Sequence, residues 1–146
     1  MIEEKSILGF GRQERKVFII DRIGSEKKGS TPGLKALREK VKGKVIVAFH
    51  PHLYSRTKDL VKEFATAFKD ADRVLIAPIY AAREVDDGSI SSEILAERIR
   101  ATGVDASALD FADIEKELSQ AGEGDTIMTM GAGDIYKIAD KLVVQK

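Results

Sequence analysis

The sequence contains no cysteine and no tryptophan, and only three of its 146 residues are proline. Without cysteine, the chain has no disulfide to stabilise it and no thiolate to offer a zinc or iron–sulfur site. The same absence fits a protein that works in a reducing cytoplasm. We therefore expect a cytoplasmic protein whose stability comes from a packed core.

Net charge and long apolar runs are lacking as well. The 24 basic residues balance 24 acidic residues, so no overall field attracts nucleic acid or an anionic membrane, although a local basic patch is compatible with this balance. No apolar run reaches the length of a transmembrane helix, and residues 1–5 lack the apolar segment of a secretion signal. We expect no nucleic-acid partner and no membrane association.

Apolar residues recur with the periods of strands and helices in alternation along the chain. The length suits one domain, which we assign to residues 15–146, after a mixed lead-in over residues 1–14. The predicted strands are residues 16–20, 44–49, 73–80, 106–109 and 126–130. The predicted helices are residues 32–43, 57–68, 90–101, 111–118 and 135–142, and residues 22–31 are predicted to form a loop.

This alternation predicts an α/β fold, a Rossmann-like open and mainly parallel sheet with helices on both faces. The nearly continuous apolar run at residues 74–77 agrees, because strands of such sheets are buried on both sides. The first strand, residues 16–20, is the least determined by its sequence. It either joins the parallel set or lies antiparallel at an edge.

Polar clusters follow three of the predicted strands, at residues 50–57, 80–84 and 131–134. In a parallel sheet the loops after the strands share the carboxyl edge, which is where open α/β sheets bind their ligands. We therefore expect the three clusters to meet in space, although they are distant in sequence.

The first cluster holds both histidines of the chain, His50 and His52. The planar fork of Arg56 suits a carboxylate or phosphate, and His52 is able to orient a substrate or share a proton. The alternative is structural, with Ser55 or Thr57 capping a helix while the histidines bind loop carbonyls. The His-Pro-His spacing differs from the i, i+4 pair of a zinc-binding helix, so we expect no metal site.

The second cluster, residues 80–84, offers Tyr80, a second arginine at Arg83 and an adjacent carboxylate at Glu84. Its alternative interpretation is a surface salt bridge with no function. The third cluster, residues 131–134, is predicted to turn tightly from a strand into a helix, and its glycines allow close approach to an anionic ligand. Asp134 fits equally well as an ordinary helix cap.

Residues 24–31 carry the glycine spacing of a phosphate-binding P-loop, with hydroxyl residues at the end. They lack the lysine that follows the second glycine in that motif and neutralises the β- and γ-phosphates. We predict a flexible, solvated loop here.

Three motifs in order carry a resemblance to a known family. Residues 49–57 are Phe-His-Pro-His-Leu-Tyr-Ser-Arg-Thr, residues 79–84 are Ile-Tyr-Ala-Ala-Arg-Glu, and residues 131–134 are Gly-Ala-Gly-Asp. From about residue 44 onward the chain resembles the C-terminal domain of bacterial Mur ligases, most of all the branch that joins L-alanine to UDP-N-acetylmuramate. His50 replaces a glutamine of the family, and Pro78 stands where aspartate is frequent.

The resemblance implies an ATP-dependent amide ligase of peptidoglycan synthesis, with Mg²⁺ screening the phosphates. In this family the C-terminal domain positions the amino acid and closes over ATP, which a central domain holds. Residues expected by resemblance to bind substrate are His52, Tyr54, Arg56, Tyr80, Arg83 and Glu84. Those expected near the nucleotide are Asp21, Gly131, Gly133 and Asp134.

The chain also departs from the family. An Asp-Tyr-Ala/Gly-His-His-Pro segment should follow the first strand, and here only Asp21 and Gly24 match it. The UDP-sugar domain and the central ATPase domain have no counterpart in this sequence, so we expect no activity from the chain alone. Its implied partners are those remaining domains, in cis or in trans, with UDP-N-acetylmuramate and L-alanine as substrates.

Two other interpretations stay open. The chain is either a ligase domain or a detached, non-catalytic relative that binds a small anionic ligand or a partner protein. An unrelated flavodoxin-like module is the third possibility, in which the motif matches arise by chance.

Overall fold

The structure is a computed structural model, which describes residues 2–8, 14–20, 34–35, 38–39, 41–122, 124–131 and 134–144. Within these residues the strands are β1 (Ile2–Leu8), β2 (Glu14–Ile20), β3 (Val45–Phe49), β4 (Arg73–Ile76), β5 (Asp105–Ala108) and β6 (Thr126–Met130). The helices are α1 (Tyr54–Asp59), α2 (Val61–Ala67), α3 (Ser92–Arg100), α4 (Phe111–Ser119) and α5 (Ile135–Val144). None of the described helices is long and apolar enough to cross a bilayer.

The described strands form one sheet in the order β1-β2-β6-β3-β4-β5. Every neighbouring pair from β2 to β5 is parallel, and β1 alone pairs antiparallel, with β2. The predicted α/β fold with a mainly parallel sheet is confirmed. The strands that precede the three polar clusters, β6, β3 and β4, are direct neighbours in this order.

The option of an antiparallel first strand at an edge is wrong. The strand predicted first is β2, which runs parallel to β6 with Phe18 opposite Met128 and lies inside the sheet. The edge belongs to β1, in residues expected to form a lead-in. Only five residues separate Leu8 from Glu14, a distance that allows a hairpin and is too short for a parallel crossover.

Apolar residues cover both faces of the sheet, as expected for strands with helices on either side. On one face, Val47 and Val74 pack with the α2 and α3 side chains Phe64, Leu95 and Ile99. On the other face, Ala48 and Leu75 pack with residues of α4 and α5, including Ile114, Leu118, Ile135 and Ile138. Adjacent strand residues thus belong to opposite cores.

Helix boundaries follow their capping residues. Ser91 accepts a hydrogen bond from Ile94 N at 3.1 Å before α3, and Asp110 accepts one from Asp113 N at 2.8 Å before α4. The helix predicted over residues 57–68 is instead two short helices, α1 and α2, which meet at Leu60. The strand predicted over residues 73–80 ends at Ile76, close to Pro78, which has no N–H to continue a ladder.

Two sequence assignments fall outside the described residues. These are the loop at residues 22–31 and, within it, the whole P-loop-like segment at residues 24–31. Of the predicted helix at residues 32–43, the structure describes Leu34 as helical and fully buried in the core.

Candidate functional site at the carboxyl edge

The loops after β3, β4 and β6 meet at the carboxyl edge of the sheet. Backbone pairing continues past the strand ends, since His50 N donates to Met130 O at 2.9 Å and Ala77 N donates to Phe49 O at 2.9 Å. The three polar clusters therefore begin side by side, as the parallel topology requires.

His52 and Tyr80 join the loop after β3 to the loop after β4. Tyr80 N donates to Pro51 O at 2.9 Å, and Leu53 N donates to Tyr80 O at 2.7 Å, which makes a parallel bridge between His52 and Tyr80. Their rings stack with centroids 5.2 Å apart and planes 17° apart. The half-buried imidazole of His52 thus has one face covered by an exposed phenol ring.

Leu53 turns the chain from this bridge into α1. Its φ of 68° lies in the left-handed region, which is unusual for a residue other than glycine. The Leu53 carbonyl accepts hydrogen bonds from Thr57 N at 3.1 Å and from Thr57 Oγ1 at 2.8 Å. α1 begins at Tyr54, directly after this turn, and Thr57 bonds back to Leu53 from inside the helix instead of capping its start, the role considered from the sequence.

Glu84 is bound to the first turn of α1. Ser55 N donates to Glu84 Oε1 at 3.0 Å, and the Ser55 hydroxyl donates to Glu84 Oε2. The bonds from Ser55 lower the pKa of Glu84 below the ordinary glutamate value, the side-chain bond most of all. Glu84 therefore pairs with a residue of the first cluster, and the salt bridge with Arg83 considered from the sequence is not among the contacts of the described residues.

Arg56 and Arg83 are the two guanidinium groups of this edge, and both side chains are exposed. Within the described part of the chain, neither guanidinium is engaged by a hydrogen bond or an ion pair. Arg56 follows Ser55 directly and Arg83 precedes Glu84, so the Ser55–Glu84 bonds connect the two segments that carry them. Unpaired planar forks of this kind suit a carboxylate or phosphate ligand.

His50 is the buried centre of the edge, with only 4% of its surface exposed. Its ring meets Phe111 edge-on at 5.0 Å and Tyr80 at 6.1 Å, and its Nδ1 has no hydrogen-bond partner among the described residues. Burial lowers the pKa of His50, and nearby His52 lowers it further, whereas Asp134 and the Pro78 carbonyl oppose the shift. This environment therefore favours the neutral form of the imidazole.

The loop after β6 lies directly against His50. Gly131 has a φ of +126°, and a Cβ built at Gly131 would be 2.4 Å from His50 O, so only glycine fits this crossing. Asp134 is exposed and pairs with Lys137 Nζ at 3.3 Å. Gly133 and Asp21, both expected near the nucleotide, lie outside the described residues.

The family assignment rests on a direct match. The sequence model of the Mur ligase, glutamate ligase domain, matches residues 10–133. This chain belongs to the Mur ligase family. The resemblance read from the three motifs is confirmed, and the motifs at the carboxyl edge are those on which it was based.

Individual relatives agree with this assignment. The chain is 44% identical over 135 residues to the UDP-N-acetylmuramate–L-alanine ligase of Acetivibrio thermocellus, an alignment that covers 91% of this chain and 29% of the relative. It is 51% identical over 102 residues to the ligase of the same name from Lachnospira eligens, covering 68% of this chain and 22% of the relative. The chain thus spans less than a third of the length of these curated relatives.

A solved structure supports the fold. The crystal structure of a UDP-N-acetylmuramate-alanine ligase from Thermotoga maritima superposes with a TM-score of 0.53 and 21% identity, over 87% of this chain and 26% of that one. The Mur ligase domain fold is therefore the fold of this chain.

Two depressions lie beside the Mur ligase motifs. One of about 470 Å³ is lined by Tyr54, Ser55, Lys58, Asp59, Glu84, Val85, Asp87 and Ser89. The other, of about 330 Å³, is lined by Tyr54, Ile76, Pro78, Ile79, Asp86, Ser91, Ser92, Ala108, Leu109 and Asp110. Tyr54, a predicted substrate-binding residue, is half-buried and borders both.

The donor atoms of the described residues do not form a metal site. Among the described residues, no group of three or more His, Asp or Glu side chains is placed to hold a metal ion. Asp134, the described carboxylate expected near the nucleotide, is paired with Lys137. The described donor set therefore does not fit a bound Mg²⁺ by itself.

Sequence reasoning missed two features of this site. The alternative that the histidines bind loop carbonyls agrees with the Pro78 carbonyl at His50, but the packing of the His50 ring between Tyr80, Phe111 and the Gly131 turn was not foreseen. The bonds from Ser55 to both oxygens of Glu84 were not foreseen, and the contact of Glu84 with a substrate stays a prediction. The position of His50 directly after a buried strand was the available signal for the first feature, and no local pattern indicated the second.

Proposed function

We propose that this chain is the amino-acid-positioning domain of an ATP-dependent ligase that joins L-alanine to UDP-N-acetylmuramate in the cytoplasm. The observation that carries the proposal is the meeting of the loops after β3, β4 and β6 at one edge. Those loops carry His52, Arg56 and Arg83, and the 44% identity to the Acetivibrio thermocellus ligase supports the choice of substrates.

The chemistry of such a ligase requires close placement of an amine. The muramate carboxylate is activated as an acyl phosphate with ATP as phosphoryl donor, while Mg²⁺ screens the phosphate charge. The L-alanine nitrogen then attacks the acyl carbon, phosphate leaves, and the nitrogen releases a proton. Arg56 and Arg83 suit the carboxylate of L-alanine, and His52, held by Tyr80, suits the orientation of its amine. Their contribution is proximity and orientation.

ATP, Mg²⁺ and the UDP-sugar need further domains, in cis or in trans. The described residues include no metal cluster, so no step of the reaction is assigned to a metal on this chain. Asp21, Gly131, Gly133 and Asp134 stay predictions as nucleotide-proximal residues. Gly131 begins and Asp134 ends the loop that would face the nucleotide.

The test is a chimera in which this chain replaces the matching region of the Acetivibrio thermocellus relative. We expect phosphate release that depends on both L-alanine and UDP-N-acetylmuramate, and none from this chain alone. A folded chimera with no turnover, together with anion binding by this chain alone, would reject the ligase assignment.

The alternative is a detached relative that binds a small anionic ligand without catalysis. The observation that favours it is that the family's paired histidines after the first strand are missing near Asp21, while Arg56 and Arg83 are unengaged in the described structure. Titration of this chain with L-alanine, ATP and UDP-N-acetylmuramate separates the two functions when it is combined with the chimera.

A further inference from the structure

We infer that Glu84 and Ser55 form a clamp that positions α1, and that Glu84 acts on the amino acid through α1 and Arg56 without touching it. The name clamp refers below to the two Ser55–Glu84 hydrogen bonds. The functional part of the inference rests on the proposed ligase function. The structural part stands by itself and has its own test.

The clamp occupies both oxygens of the carboxylate. Ser55 N donates to Oε1 at 3.0 Å, and the Ser55 hydroxyl donates to Oε2. The Glu84 backbone is fixed as well, because Glu84 N donates to Ala81 O at 2.9 Å. A carboxylate held at both oxygens in this way is oriented toward α1, whereas the neighbouring Arg83 stays exposed.

α1 needs an external cap. The residue before it, Leu53, has an apolar side chain and makes no side-chain capping bond. The first N–H groups of a helix have no partner inside the helix, and a negative charge at that end is favourable. Glu84 supplies both the acceptor and the charge from a loop 29 residues further along the chain.

The clamp makes a second connection between the two loops. The first is the His52–Tyr80 bridge, with Leu53 N bound to Tyr80 O at 2.7 Å. With two connections, the loop after β4 cannot rotate about a single point relative to α1. The guanidinium-bearing segments therefore keep a fixed separation, which a site for one small amino acid requires.

Amide hydrogen exchange on this chain tests the clamp directly. Glu84→Ala removes the acceptor of Ser55 N. Because one charged hydrogen bond is lost, the Ser55 amide should exchange about tenfold faster or more. Asp87→Ala is the matched control, because Asp87 is a carboxylate of the same loop that accepts from Ser89 and not from α1. Ala77 N, bonded within the sheet, should stay protected in both variants and reports on folding.

The result is decisive in either direction. Faster exchange at Ser55 in Glu84→Ala, with Asp87→Ala unchanged, supports the clamp. Unchanged exchange at Ser55 in a folded Glu84→Ala protein overturns it, whatever the enzyme assays give. Because this measurement needs no substrate, its failure is distinct from failure of the proposed function.

A double-mutant cycle in the active chimera tests the positioning role. Ser55→Ala and Glu84→Gln should each raise the KM for L-alanine. The KM of the double variant should be no higher than that of the more damaging single variant. Ser55→Thr keeps the hydroxyl and should have the KM of the parent chimera. If Glu84 instead binds the amine directly, Glu84→Gln alone is damaging and Ser55→Ala is nearly silent. That outcome overturns the positioning role. If the parent chimera and all its variants show no turnover, the proposed function is overturned instead.

Discussion

The buried imidazole of His50 makes the stability of this chain sensitive to mild acid. His50 faces Asp134, His52, Tyr80, Phe111 and the Pro78 carbonyl, and burial lowers its pKa below the ordinary value of about 6.5. Between these two pKa values the unfolded chain binds more protons than the folded chain. The free energy of unfolding should therefore fall as the pH drops below about 6.5, until the lowered pKa is reached.

The measurement for His50 is urea unfolding at several pH values between 5 and 8, compared with His50→Gln. The amide side chain takes no proton in this range, so the variant should lose the part of the pH dependence that sets in near 6.5. If the unfolding free energy of the two proteins changes with pH in the same way, the assignment of that dependence to His50 is contradicted.

Arg56 is predicted to hold the carboxylate of the amino acid. In the chimera, Arg56→Ala should raise the KM for L-alanine about tenfold or more, because a charged hydrogen bond contributes about 1.5 to 3 kcal/mol. Arg98→Ala is the matched control. Arg98 is also an exposed arginine, but it lies in the last turn of α3, away from the site. The opposite end of α3 contacts the carboxyl edge, where Ser92 Oγ donates to Ala77 O. Equal KM values for the two variants would remove Arg56 from the site.

Gly131 gives a steric test of the loop crossing. Gly131→Ala places a Cβ 2.4 Å from His50 O at a φ of +126°, and we expect a loss of about 2 to 4 kcal/mol in unfolding free energy. Gly88→Ala has the same kind of strain, with a φ of +79°, but meets nothing within 4 Å and should cost about 1 kcal/mol. Urea denaturation distinguishes them, and equal losses would mean that the backbones are not in contact.

At the residue scale, sequence located the polar clusters but not all of their internal contacts. The place of His52 and Arg56 follows from topology, because both come after a strand of a parallel sheet. The pairing of Glu84 with Ser55 does not follow from topology, because Ser55 is 29 residues away and the pairing depends on the path of the loop after β4. Contacts between loops are set by backbone geometry that neither periodicity nor composition encodes.

At the element scale, Arg73 at the start of β4 connects elements at the opposite, amino edge of the sheet. Arg73 forms a two-pronged pair with Glu117 of α4, at 2.6 and 2.8 Å, and also contacts Asp105 of β5 at 2.9 Å. The hydrogen bond to Glu117 is the main reason why the pKa of Arg73 is raised. One side chain thus ties a strand to its neighbour and to a helix that packs on the sheet.

We expect Arg73→Met to lower the unfolding free energy by about 1 to 2 kcal/mol, since the pair is charged and bidentate but partly solvated. Arg73→Lys should recover less than half, because lysine lacks the planar fork. Lys141→Met is the control, as Lys141 pairs with Glu115 at 3.7 Å while largely exposed, and its change should stay within about 0.5 kcal/mol. Denaturant titration that gives equal losses for Arg73→Met and Lys141→Met would contradict this role.

Element types were predictable from period and capping chemistry, and element ends were not. α3, α4 and β6 match their predicted segments because Ser91, Asp110 and an apolar run mark them. The start of α1 lies after Leu53, which has a positive φ and hydrogen bonds to Tyr80 and Thr57, whereas the division between α1 and α2 lies at Leu60. Leucine gives no local signal of such a conformation, so tertiary contacts decided the boundary.

For the molecule as a whole, the sheet order places the edge strand β1, which we expect to contribute to stability, away from the strands that carry the candidate site. Site loops follow β6, β3 and β4, whereas β1 lies at the edge beyond β2, and the family match begins at residue 10, after β1. Sequence could not assign β1, because the consecutive charged residues Glu3, Glu4 and Lys5 break the apolar–polar alternation that indicates a strand. Its pairing with β2 is a property of the assembled sheet.

Removal of residues 1–9 therefore provides a test of this separation. The truncated chain loses the ladder between β1 and β2, so its unfolding free energy should fall and its exposed β2 edge should promote self-association. Exchange at Ser55 N should change by less than about twofold, since distant sites couple by only a few tenths of a kcal/mol. If truncation instead accelerates exchange at Ser55 in protein that stays folded and monomeric, β1 acts on the carboxyl edge through β2 and β6, and the site depends on the full width of the sheet.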